Sequence, residues 1–331
     1  LRLLLALMVM ASHLSRIECG RIAVMIFFFL SGYWVTRNWQ TPGRANRALP
    51  FVARRLVRVF PLYWLTLAGA WLLHPQPANP LILGIASGAP DPLGVSWSLD
   101  IELQFYLLVP LLAPRLDRGV LLPFSIMLAI LAWSSSPPDG ARTILNYLPS
   151  FLLGALTHMR VWQPRRGAAI ASLASFATIG IALFLSPNTH TLFDKTLADP
   201  FDRDIFAMLW MVPLLPFLAW VLTLTSSHAD RCLGEASYAL YLTHYPLIRL
   251  LAPIGLTEKA AAALLALGLA LARRRIVGRR GHSFHAAGPT RADQSTQPKR
   301  WNLFWSRELS RVVACDLVDD PSADRTGLRA A

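Results

Sequence analysis

'RRLVRVFPLYWLTLAGAWLLH', residues 54–74, sets the fold class. From Leu56 to His74 the run is almost wholly apolar, and a bilayer-spanning helix needs about 20 such residues. Arg54, Arg55 and Arg58 crowd its N-terminal side, Pro61 follows, and Tyr63 and Trp64 are expected in the interfacial region. Basic residues just before an apolar run mark a cytoplasmic end. The stretch therefore reads as a membrane helix entering from the inside, with its arginines just cytoplasmic of it.

Outward from there the same pattern repeats. Apolar runs fall at roughly 1–15, 21–36, 56–74, 95–113, 119–135, 144–160, 167–186, 205–225, 234–254 and 259–272, which predicts an all-α membrane protein with a bundle of about ten transmembrane helices. Segment 79–90 is apolar but short and broken by Pro and Gly, so an interfacial position is expected for it. The 331 residues are 54% apolar and only 15% charged, against about 25% charged in soluble chains. The net charge of +13 comes in short clusters between apolar runs, which argues for membrane loops and against nucleic acid as a partner. Cys19, Cys232 and Cys315 make no C-x-x-C, so disulfide scaffolds and zinc domains are excluded.

Orientation follows from alternate loops. With the N-terminus inside, the inner loops carry 17 Lys or Arg, and the outer ones carry seven: Arg16, Arg21, Arg142, Lys195, Arg203, Arg249 and Lys259. Both termini are then cytoplasmic. Leu1 opens directly on an apolar run with no cleavage signature behind it, so a short preceding stretch is expected rather than a signal peptide. Residues 1–275 read as one transmembrane domain. Residues 276–331 turn polar, Arg-rich and aperiodic, predicting a disordered basic cytoplasmic tail in which Trp301 to Val313 has the length for one surface helix.

Ionisable groups inside spans are costly and mark candidate sites. Arg2 and His13 are eleven residues apart, close to three full helical turns, so they share a face about 16 Å apart along the axis. That suits an anion clamp with a buried base. It equally suits a snorkelling Arg and a His hydrogen-bonded within the bundle. 'WSLDIELQFYLLVPLL', residues 97–112, holds Asp100 and Glu102 on different faces, and Asp100 fits a watered outer end better than Glu102 does. 'LGEASYALYLTHYPLI', residues 233–248, carries Ser237, Tyr241 and His244 as one polar stripe, which either lines a cavity or knits helices together. Tyr238 and Tyr245 lie on an adjacent face. Arg54, Arg55 and Arg58 serve as membrane anchors or as phosphate forks. No P-loop, serine-hydrolase or zinc-protease motif occurs.

Five stretches in order resemble acyltransferase family 3, multi-pass membrane proteins that O-acylate sugars and related acceptors. They are Arg2 to His13 as R-x10-H, 'FFFLSGYWVT' (27–36), 'RRLVRVFPLYW' (54–64), the 97–112 stretch and the 233–248 stretch. The resemblance covers residues 1 to about 250. It departs from the family at Leu103, where a second acid is common, and at 'LALARRRIVGRRGHS', which lacks the family's closing acid and proline.

The resemblance implies an integral-membrane O-acyltransferase that moves an acyl group, acetyl first in order, from cytosolic acyl-CoA to a hydroxyl of a carbohydrate or glycan precursor. It makes His13 the candidate catalytic base, Arg2 its partner and Glu102 the site acid. Arg54, Arg55 and Arg58 would hold the coenzyme phosphates, with Tyr238, Tyr241 and His244 toward substrate. No bound cofactor is expected, acyl-CoA being a co-substrate. Partners are then the glycan or lipid-linked acceptor and the bilayer, in a bacterial cytoplasmic membrane. The alternative is a transporter or flippase of a polar or lipid-linked solute, which intramembrane His, Glu and Arg also suit.

Overall fold

The computed structural model describes residues 1–41, 48–116, 119–135, 141–195 and 200–251, with Ala263 and Ala266. By its contacts the chain divides into Leu1–Arg279 and Arg280–Ala331, and the described residues all belong to the first unit. The predicted tail and most of the 259–272 run lie outside them. Among the described residues the protein is all-helical, with one isolated antiparallel bridge, Ile17 to Asp194, and no strand.

The helices are α1 (Arg2–Leu14), α2 (Gly20–Gln40), α3 (Ala48–Leu73), α4 (Trp97–Leu112), α5 (Leu121–Ser134), α6 (Ile144–Met159), α7 (Arg166–Leu185), α8 (Pro200–Met211), α9 (Leu215–Thr223) and α10 (His228–Leu251). Among the described residues three stretches are long and apolar enough to cross a membrane by length and composition: Ala48–Leu73, Arg166–Leu185 and Arg203–Thr223. The last is the expected 205–225 span, split by a 3-10 turn at Val212–Leu214 where Pro213 removes a backbone donor. Large apolar side chains such as Leu65, Leu72, Phe124, Ile130, Ile181 and Leu185 point outward. Such a surface suits lipid rather than water.

The centre of the bundle is the α2–α6 crossing. Phe28 and Phe105 stack on Phe151 at 4.7 and 4.3 Å between ring centroids. The backbones touch here: a Cβ on Gly32 would run into the Phe151 carbonyl, and one on Gly154 into the Phe29 carbonyl. Close approach through small residues is how helices gain dispersion energy where lipid removes the hydrophobic drive between them.

One expectation needs correction at α3. The helix begins at Ala48, so Arg54, Arg55 and Arg58 are part of it rather than ahead of it. Tyr63 is fully buried, and its hydroxyl donates to the Asn79 carbonyl at 2.6 Å, while Trp64 Nε1 donates to Pro80 O at 2.9 Å. The α3–α4 connection thus folds back beside α3, about 15 Å before the helix ends. The 79–90 segment is accordingly packed into the bundle, with Ile82, Ile85 and Ala86 buried.

Asp100 holds that connection and is likewise corrected. In place of a watered interface it sits fully buried, accepting from Ala86 N at 2.9 Å and from Gln104 Nε2 at 2.9 Å. Gln104 Oε1 in turn accepts from Ile144 N at the start of α6. The turn is tight enough to hold Ile82 at φ +66°, a conformation costing a β-branched residue about 1–3 kcal/mol.

Candidate active site

α1 lies against α2 and α10, and its two ionisable residues face two separate groups of side chains. At its first turn, Arg2 is half-buried, its Cδ lying against Gly234 on α10. Arg2 interacts electrostatically with Arg55 and Arg58 of α3 and with Glu102 and Tyr106 of α4. Ser31 of α2 donates to Glu102 Oε1 at 2.6 Å, and Tyr106, buried, interacts with the same carboxylate. The Arg55 guanidinium lies over the Tyr106 ring at 5.6 Å. Three segments distant in sequence therefore bring three guanidinium groups and one carboxylate into one electrostatic neighbourhood. Its formal charge of +2 favours a polyanion, because Arg forks bind phosphate bidentately. Arg54 is half-buried on the same helix. Tyr238 of α10 donates to the Val59 carbonyl at 2.9 Å and ties α10 to α3.

At the other end of α1, His13 is half-buried between two residues of α10. Its ring centroid is 5.3 Å from that of His244 and 4.8 Å from that of Tyr245, which meets it edge-on. Ser237, Tyr241 and His244 are all buried, so the polar stripe faces the bundle interior. Tyr241 shares a 2.6 Å hydrogen bond with Ser98 of α4 and donates to Val95 O at 3.1 Å. Here the stripe knits helices. Gly94, at φ +68°, lies where a Cβ would enter the Tyr245 ring, so the folded-back connection touches the residue that packs on His13.

A charged network beside His13 escaped the sequence reading. Asp204 of α8 is fully buried, accepts from Arg21 Nη1 at 2.7 Å and from the Tyr147 hydroxyl at 2.7 Å, and is ion-paired with Arg142, whose Nε lies 2.9 Å from Oδ2. Both guanidiniums cover the Trp97 ring, at 5.1 and 5.2 Å. A second pair joins Arg203 to Glu18 at 3.0 Å, with Ser12 donating to the same carboxylate. Lys195 donates to the Ser12 carbonyl, and burial lowers its ammonium from the ordinary lysine value despite Glu18 nearby. In the α3–α4 connection, burial likewise raises the Asp91 carboxyl, which caps Ser96 N at 2.8 Å. Four of the seven cations expected in outer loops, Arg21, Arg142, Lys195 and Arg203, thus have partners in this network. The available signal was that exception list, since charges on the sparse side of a membrane protein call for neutralising acids.

Among the described residues no group of His, Cys, Asp or Glu has metal-binding spacing.

The family model described as "Acyltransferase domain" matches residues 1–272. BcsY of Komagataeibacter xylinus, named as a membrane-bound transacylase, is 28% identical over 284 residues, covering 74% of this chain and 71% of its own length. OatA of Listeria monocytogenes, named as a peptidoglycan O-acetyltransferase, is 26% identical over 309 residues, 77% of this chain, and the chain spans 49% of that protein. Nodulation protein 10 of Rhizobium leguminosarum is 30% identical over 121 residues, covering 27% of this chain and 32% of its own length. No solved structure matches. With its five motifs brought to the two ends of one helix, and with the family model covering most of its length, this chain belongs to acyltransferase family 3 of membrane proteins.

Proposed function

We propose that the protein is a multi-pass O-acyltransferase of a bacterial cytoplasmic membrane, moving an acetyl group from cytosolic acetyl-CoA to a hydroxyl of a glycan or its lipid-linked precursor. In this reading the bundle crosses the membrane about ten times with both termini inside. The names of BcsY and OatA, a transacylase and a peptidoglycan O-acetyltransferase, support the acetyl and glycan parts.

The observation that carries the reading is the division of α1 between two chemistries. One end meets the Arg2, Arg55 and Arg58 cluster, which suits the phosphates of a coenzyme entering from the cytoplasm. The other end presents a half-buried imidazole about 16 Å away, the span of an extended pantetheine arm. His13 then takes the proton of the acceptor hydroxyl as its oxygen bonds to the thioester carbonyl carbon. The C–S bond breaks, and the proton passes from His13 to the departing thiolate. Such general-base help contributes about 10²–10⁴-fold. Glu102, held by Ser31, sets the spacing of the arginines rather than reaching His13.

The test is acetyl transfer from radiolabelled acetyl-CoA in membranes holding wild type, His13→Ala or Arg2→Ala at equal amounts. Transfer to extractable glycan by wild type, lost in His13→Ala and requiring far more donor in Arg2→Ala, is the expected result. Wild type that transfers nothing, yet carries a polar solute into sealed vesicles, overturns it in favour of a transporter.

A further inference from the structure

His244 is fully buried on α10, and its Nδ1 lies 3.1 Å from the Leu240 carbonyl one turn back. A carbonyl can only accept, so in the neutral ring Nδ1 carries the hydrogen and Nε2 carries the lone pair. Among the described residues Nε2 is buried without a hydrogen-bond partner. An unmade buried acceptor is costly, and membrane interiors offer no water to offset it.

The polar side chain beside it is His13. Their ring centroids are 5.3 Å apart with the planes 48° from each other. A ring nitrogen sits about 1.2 Å from its centroid, so facing nitrogens at that separation come within about 3 Å, an N–H···N hydrogen-bond distance. The structure holds the rings short of that alignment, and rotation of the half-buried His13 about its side-chain torsions closes it. The His244 backbone hydrogen bond resists the reverse motion. Tyr245 bounds the other side of His13 at 4.8 Å, limiting the orientations left to it.

We propose that His244 is a positioning residue for His13: its Nε2 accepts the His13 ring N–H and so fixes the His13 tautomer with the lone pair toward the acceptor hydroxyl. A base is ordinarily oriented by a third group, usually a carboxylate. A neutral histidine does the same in a lipid-enclosed bundle without burying another charge. His244 does not touch the acceptor. This rests on the acyltransferase reading for its consequence, but not for its geometry.

Two measurements decide it. In full-length protein in lipid nanodiscs with ¹⁵N-labelled histidine, resonances are assigned by their loss in His244→Gln and in His13→Gln. The expected spectrum gives His244 as the Nδ1–H tautomer, and His13 resonances move in His244→Phe. His244 found as the Nε2–H tautomer, or His13 unmoved, overturns the proposal even if no acceptor has been identified. For turnover, His244→Phe keeps the ring volume but no acceptor, while His244→Gln returns an acceptor oxygen. The expected result is roughly a 100-fold fall in kcat for Phe, with KM for acetyl-CoA unchanged, and recovery of most of it in Gln. Equal loss in both variants, or full kcat in Phe, makes His244 a packing residue. Wild type without transfer sinks the acyltransferase reading alone, because the tautomer measurement stands apart from it.

Discussion

Asp100 and Glu102 are two residues apart on one helix and do different work. Asp100 is buried under the folded-back connection and hydrogen-bonded to Ala86 and Gln104, whereas Glu102 lies among Arg2, Arg55 and Arg58. Asp100→Ala leaves a buried backbone N–H unmet, so thermal stability should fall by about 1–3 kcal/mol, with hydrogen exchange rising over residues 79–94. Glu102→Gln removes the charge that sets the spacing of the arginines. The expected outcome is a raised KM for acetyl-CoA with kcat largely kept, measured in the same transfer assay. At Asp204 the stake is larger, because two guanidiniums share it. Asp204→Asn should cost about 3–5 kcal/mol of stability, read as a clear drop in the unfolding temperature in detergent. His13, Arg2 and Glu102 were legible as intramembrane ionisable groups in a family pattern. The family pattern also singled out Glu102 over Asp100, but not the partners of either acid, because a helix phase gives faces but not neighbours.

Among the elements, α2 and α6 form the most intimate pair, joined where Gly32 and Gly154 each press on the opposite backbone. Gly32→Ala cannot be relieved by turning a side chain, since the obstructing atoms are main chain. It should destabilise the fold by about 1–3 kcal/mol, seen as a lower unfolding midpoint, while Gly69→Ala, with open space around it, should not. The helices themselves were read from apolar runs to within a few residues over most of the described chain. What composition does not give is tertiary contact. The 79–90 segment reads as interfacial by its length and its Pro and Gly content, and Tyr63, Trp64 and Asp100 tie it to α3 and α4. The arginines of α3 looked like a loop because they are charged, yet Arg55 lies over the Phe51 and Tyr106 rings and is helical.

For the molecule as a whole, an excess of inner over outer cations predicts its orientation, and single cysteines test it. Arg165→Cys should react with an impermeant thiol reagent only in inverted vesicles, and Asn188→Cys only in intact cells, in a chain whose native cysteines are replaced. Three of the seven cations assigned to outer loops, Arg21, Arg142 and Arg203, are paired in the structure, with Asp204 and Glu18 as their acids. This could be suspected from the sequence but not resolved, because the partners lie 183 and 185 positions apart. That separation also has a consequence for how the protein is made. Arg21 and Arg142 leave the ribosome well before Asp204, and at about 5–20 residues per second the wait after Arg142 alone is several seconds. Until α8 arrives, Trp97 is left with two guanidiniums and no carboxylate to balance them. This end of the bundle is therefore finished from its C-terminal half, and a nascent chain halted before residue 204 carries its first helices with two charges still awaiting their acid.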